Sequence, residues 1–207
     1  MTLRLVAGPL ERFFAEAPDT PGPAGFDAWR GAVDRALAAR GLAALARGAG
    51  ADAPETGEAL GWGAYGALVM WAAYADQPAR TRPLMEPDEW HKDPAVLACA
   101  APGFASHFPT LVRGVELWLP GGFDAVLEIP APGGDVLDAG STGELARELE
   151  DLNAATWAAT GAEIRGWTDT VDAQSPRVDD LARRGLAAFV RAAARARAGA
   201  IAVWLEY

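Results

Sequence analysis

A chain of 207 residues, 51% hydrophobic and 22% charged, has the composition of a folded globular protein and excludes disorder, collagen and coiled coil. Twenty-eight acidic against 18 basic residues leave a formal charge of −10, so the average surface repels phosphate backbones, which disfavours nucleic acid; the same field speeds association with a basic protein or peptide, but plain solvated acidic surface is the commoner explanation and acidity alone does not choose. The one cysteine, Cys99, excludes an intramolecular disulfide, and Pro9 and Glu11 interrupt any signal-like apolar run, a combination that fits a reducing cytoplasm.

Leu3, Leu5 and Ala7 alternate with Thr2, Arg4 and Val6, predicting an opening strand that Gly8-Pro9 ends. Residues 18–25 read as a Pro/Gly loop. Asp27 then caps a helix with Ala28, Val33, Ala36, Leu37 and Leu45 at helical spacing, and Arg40, Arg47 and the glycines at 48–50 suit its end. A second helix is expected from about Glu58 to Ala75. It is apolar on every side, which places it in the middle of the fold, and without a flanking Lys or Arg it reads as a buried helix and not as a membrane span. Gly61, Gly63 and Gly66 along it permit close approach by a neighbour.

From Gln77 to Pro109 six prolines cut the chain into short pieces, with a short helix expected from Asp93 through Ala101. Apolar alternation in Gly114–Pro120 and in Phe123–Pro130, joined by Gly121-Gly122, predicts a β-hairpin. Pro132-Gly133-Gly134 then turns into a third strand over Asp135–Asp138, completing an antiparallel meander. Ser141-Thr142-Gly143-Glu144 has the spacing of a capping box. Leu145, Leu149 and Leu152 follow as one apolar stripe, predicting a helix from about Thr142 to Ala159. A weak strand is expected over Ala162–Trp167. Ser175-Pro176 opens a last helix that carries Leu181, Leu186, Phe189, Val190 and Ala193 and ends at Gly199, with Arg191, Arg195 and Arg197 toward its C-terminus. Ala200–Tyr207 is β-rich and apolar on both faces, as expected of an interior strand. The sum is one α+β domain over residues 1–207, with a central, largely antiparallel sheet that includes both terminal strands and packs against several Ala-rich helices.

Residues 86–107 hold the residue types that acid–base chemistry needs. Asp88 and Glu89 neighbour His91, and His107 follows later, so carboxylate and imidazole are available as an orienter and base. His91, Cys99 and His107 stand at spacings that match no common zinc motif, and Cys99 among alanines reads as an inert buried thiol. Gly140–Gly143 lacks the lysine of a phosphate-binding loop and the glycines of a dinucleotide fingerprint, and neither Ser106 nor Ser141 sits in a nucleophile elbow. No cofactor or metal is therefore implied. Of the eight tryptophans, Trp90 and Trp167 lie in loop-like contexts and are the candidate exposed binding anchors.

Val115–Phe123, with its apolar-Pro-Gly-Gly-Phe ending, followed by Gly140-Ser141-Thr142-Gly143-Glu144-Leu145 and Glu148-Leu149, resembles a pattern in small uncharacterised bacterial α+β proteins. The resemblance spans about residues 115–150. Some of those proteins are regarded as immunity or accessory proteins of bacterial competition systems, and the resemblance implies such a role without assigning catalytic residues. Three functional readings follow. One is a non-enzymatic protein that binds a basic partner, such as a toxin it neutralises. Another is a small-molecule enzyme using Asp88, Glu89, His91 and His107, and the third is a homodimer subunit that extends its sheet through the C-terminal strand.

Overall fold

The computed structural model describes residues 2–16, 23–46, 52–81, 87–101, 103–170 and 175–207, the side chains at 23, 24, 87 and 88 excepted. Six strands form one open sheet: β1 (Arg4–Gly8), β2 (Thr56–Ala59), β3 (Leu117–Leu119), β4 (Leu127–Pro130), β5 (Val136–Ser141) and β6 (Ala202–Glu206), in the order β2-β1-β6-β3-β5-β4. All neighbouring pairs are antiparallel except β3 and β5. The fold is α+β, and both terminal strands lie inside the sheet.

Alternation along the strands divides two apolar cores between the two faces. Val6, Leu117, Leu119, Ile129 and Trp204 face α1 (Leu10–Glu16) and α2 (Pro23–Ala39), packing with Phe14, Trp29, Val33 and Leu37. Leu5, Ala7, Trp118, Val203 and Leu205 face the opposite layer: α3 (Trp62–Ala75), α4 (Pro94–Ala100), α5 (Pro109–Val112), α6 (Thr142–Thr156) and α8 (Val178–Gly199). β6 is apolar on both faces because it runs between β1 and β3 with helices above and below. Both of its edges are paired, so it cannot extend the sheet into a second copy, and the homodimer route through this strand is closed.

Several local expectations differ from what is observed. Gly121-Gly122 does not turn a hairpin. β3 lies between β6 and β5, and the chain after it crosses the end of β5, where Gly121 O accepts from Gly143 N at 2.8 Å and Phe123 O accepts from Ser141 Oγ at 2.6 Å. The true hairpin joins β4 to β5 through the turn at Ala131–Asp135. Residues 56–59 are strand and not helix, because Gly61, at φ 75, reverses the chain before α3 begins. The helix after Asp27 begins earlier, at Pro23, and stops at Ala39. Leu45 still reaches the core, held by Asp34 Oδ1 on its N–H and Arg30 Nη2 on its carbonyl. The expected loop at 18–25 lies outside the described residues as far as 22, and so do the glycines at 48–50.

Residues 161–170 form a helix, α7 (Gly161–Thr170), where a strand was expected. Thr160 and Glu163 build a reciprocal capping box there: Thr160 Oγ1 accepts from Glu163 N, while the Glu163 carboxylate accepts from Thr160 N at 2.7 Å. At α6 only half of that device forms. Ser141 Oγ accepts from Glu144 N at 3.0 Å, but the Glu144 carboxylate turns to Arg147.

Candidate functional site

The two histidines have different surroundings. His91 is exposed in a 3-10 turn over Pro87–Lys92, its ring edge-on to Trp90. Glu89, beside it, is committed to Lys92 at 2.8 Å, and that hydrogen bond and charge hold its carboxyl below the usual range. Asp88 lies in the same turn, with its side chain outside the described residues. Glu89 and His91 therefore do not form an orienter–base pair.

His107 is oriented, by a carboxylate absent from the sequence-based candidates. Asp76 follows α3, and its side chain is only 1% exposed while that of His107 is 80% exposed. Asp76 Oδ1 meets His107 Nδ1 at 2.7 Å and accepts from His107 N, and Oδ2 accepts from Ser106 Oγ. This geometry fixes the ring and leaves Nε2 toward water, as a general base requires. Ser106 does not serve it as a nucleophile: its hydroxyl donates to Asp76 and accepts from Phe108 N, closing a turn ahead of α5, and does not address the imidazole.

Cys99 is buried in α4. Gln77 Nε2 lies 3.2 Å from its sulfur, and burial raises the thiol pKa, which leaves it unreactive. Among the described residues no three His, Cys, Asp or Glu side chains are grouped to hold a metal ion, and no helix is long and apolar enough to cross a membrane. A concavity of about 250 Å³ on the α1/α2 side is lined by Leu10, Glu11, Arg30, Leu45, Pro120 and Ile201, among others, and brings no histidine or nucleophile to its wall.

The candidate anchors Trp90 and Trp167 are half-buried. Trp167 packs edge-on to Trp157 at 5.5 Å, and the Arg183 guanidinium already lies 5.6 Å from its ring centre, so the face that would meet a partner's cation is occupied. Trp90 is held against the main core beside Tyr65, ring centres 5.5 Å apart. Loop-like sequence context misled here because indoles of this size are drawn into contact with neighbouring helices.

Among the described Trp, Tyr and Phe residues the exposed ones are Trp62, 37% exposed at the start of α3, and Tyr207, 53% exposed after β6. Their ring centres are 5.6 Å apart, and Trp62 also meets Tyr65, one helical turn on, at 6.2 Å. Tyr207 Oη donates to Glu116 Oε1 at 3.0 Å; Glu116 is exposed, just before β3, and forms no ion pair among the described residues. Burial and Glu116 both raise the Tyr207 pKa, so the phenol keeps the proton that it donates. Trp62, Tyr65, Tyr207 and Glu116 come from three distant parts of the chain, and only the pairing of α3, β3 and β6 brings them together. The result is an aromatic face with an uncompensated carboxylate.

No protein-family model, curated protein or solved structure matches this chain.

Proposed function

We propose that this protein acts by binding a basic protein partner, with the face formed by Trp62, Tyr207 and Glu116 as its contact. The observation that carries this reading is the exposure of two large aromatic rings beside a carboxylate that has no ion-pair partner among the described residues. Trp and Tyr dominate the energetics of protein contacts because they bury much area at little entropic cost. The charge of −10 supplies a field that speeds encounter with a cationic partner and weakens as salt screens it. Within the class that the sequence resemblance implies, the partner is a basic toxin that this chain neutralises in a bacterial cytoplasm.

The test is capture of partners by the tagged protein from lysate of its own cells, at low and at high salt, with the wild type and Trp62→Ala in parallel. One stoichiometric basic protein, lost at high salt and lost with Trp62→Ala, is the expected outcome. An empty wild-type capture, or one that Trp62→Ala leaves unchanged, contradicts the reading. The oriented Asp76–His107 pair favours a second reading, an acid–base enzyme acting on a small molecule, and replacement of both histidines by alanine without loss of turnover would remove its support.

A further inference from the structure

Tyr65 adds an element that the two exposed rings do not explain. Its ring is 4% exposed, stacked 6.4 Å from Phe189 and bordered by Trp62 and Trp90. Its hydroxyl has no hydrogen-bond partner among the described residues and is not one of their buried unpaired polar atoms, so it is open to water at the edge of this face. Desolvation, then Glu116, then Tyr207 raise its pKa, so the hydroxyl stays protonated and lies within the field of both groups. The face thus presents the unpartnered Tyr65 Oη, the Glu116 carboxylate with one oxygen bonded to Tyr207, and the exposed rings of Trp62 and Tyr207.

We propose that this face is an arginine site, at which the partner lays a guanidinium against the Trp62 and Tyr207 rings and donates N–H groups to Glu116 and to Tyr65 Oη. The inference rests on the binding function proposed above and names the chemistry of the contact. A guanidinium fits better than an ammonium for three reasons. It is planar and stacks on aromatic rings, it is weakly hydrated and so gives up water readily, and its five donors reach acceptors that lie in different directions. A lysine would satisfy the carboxylate as a point charge but would leave the rings and the Tyr65 hydroxyl largely unused.

Titration calorimetry at low salt with an arginine heptapeptide and a lysine heptapeptide tests this. The proteins are the wild type, Glu116→Gln, Tyr65→Phe and Glu128→Gln, the last an exposed carboxylate on β4 that controls for the loss of one charge. The wild type is expected to prefer the arginine peptide by about 2- to 5-fold, the range that an exposed cation–π contact supplies. Glu116→Gln should weaken both peptides by about 2- to 5-fold, as loss of an exposed ion pair does, and leave the preference that the rings and Tyr65 supply. Tyr65→Phe should reduce the preference without touching the charge. Equal affinity for the two peptides, or equal effects of Glu116→Gln and Glu128→Gln, overturns the arginine site while leaving the binding function to its own capture test. Absence of binding by either peptide, together with an empty capture, overturns both.

Discussion

Gly185 of α8 lies so close to Ala64 of α3 that a Cβ on it would stand 2.6 Å from the Ala64 carbonyl oxygen and 3.1 Å from Leu68 Cβ. The close helix approach that the glycines of α3 suggested is thus made from the other side, by a glycine of α8. Gly185→Ala must push the two helices apart, which costs about 1–3 kcal/mol and exceeds the gain of up to about 1 kcal/mol in helix propensity. Gly166→Ala in α7 meets nothing within 4 Å and should be neutral or stabilising by as much as about 1 kcal/mol. Urea unfolding of the two variants checks the contrast; equal midpoints would contradict this packing.

Glu148 of α6 is fully buried and grips the start of α5. Its carboxylate accepts from Thr110 N at 2.9 Å, Thr110 Oγ1 at 3.0 Å and Leu111 N at 3.1 Å. Desolvation outweighs these donors and pushes its pKa up to about 8, from 4.5. The folded protein therefore keeps a proton that the unfolded chain releases above 4.5. Its contribution to stability is complete below that pH and is lost as pH rises toward 8, with a slope of at most about 1.4 kcal/mol per pH unit. Glu148→Gln should flatten the fall in stability between pH 5 and pH 8, measured by denaturant unfolding. A slope unchanged in the variant would assign the effect elsewhere.

Asp76 and His107 should separate in their effects. The Asp76 carboxylate holds Ser106 Oγ, His107 N and His107 Nδ1, so Asp76→Asn turns an amide donor toward donors and should cost about 1–3 kcal/mol. His107→Ala removes an exposed ring and should cost under about 0.5 kcal/mol. Thermal unfolding of the pair decides: a His107→Ala loss as large as that of Asp76→Asn would mean that the imidazole itself supports the fold.

The parts of this fold that depend on neighbours along the chain were legible in the sequence. Ala200–Tyr207, apolar on both faces, reads as a central strand and is one. Ser141-x-x-Glu144 followed by a leucine stripe reads as a helix start and is one. Thr160-x-x-Glu163 carried the same signal for α7, but Ile164 and Trp167 invite a strand reading when the cap is overlooked. Of the strand pairings, the local one of β4 with β5 through the Pro132-Gly133-Gly134 turn was legible, and the long-range ones were not. The Gly-Gly dipeptide favours a local hairpin, whereas β3 pairs instead with β6 and, in parallel, with β5, while the helical layers on the two faces bury Leu117, Trp118 and Leu119. The candidate site failed for the same reason. Asp76 orients His107 from 31 positions away, and Tyr207 meets Glu116 from 91 away, separations that no local spacing encodes. Loop-like context pointed to Trp90 and Trp167, while Trp62, inside an apolar helix, is the indole left at the surface.

The most direct test of a protein-binding face at Trp62 is site-specific photo-crosslinking in the cells that make the protein. A benzophenone amino acid is placed at position 62 in one case and, as a control, at position 136, where exposed Val136 begins β5. A single adduct with a basic protein at position 62, absent at position 136 and reduced by Glu116→Gln, is the predicted result. No adduct at position 62, or the same adducts from both positions, would contradict the account.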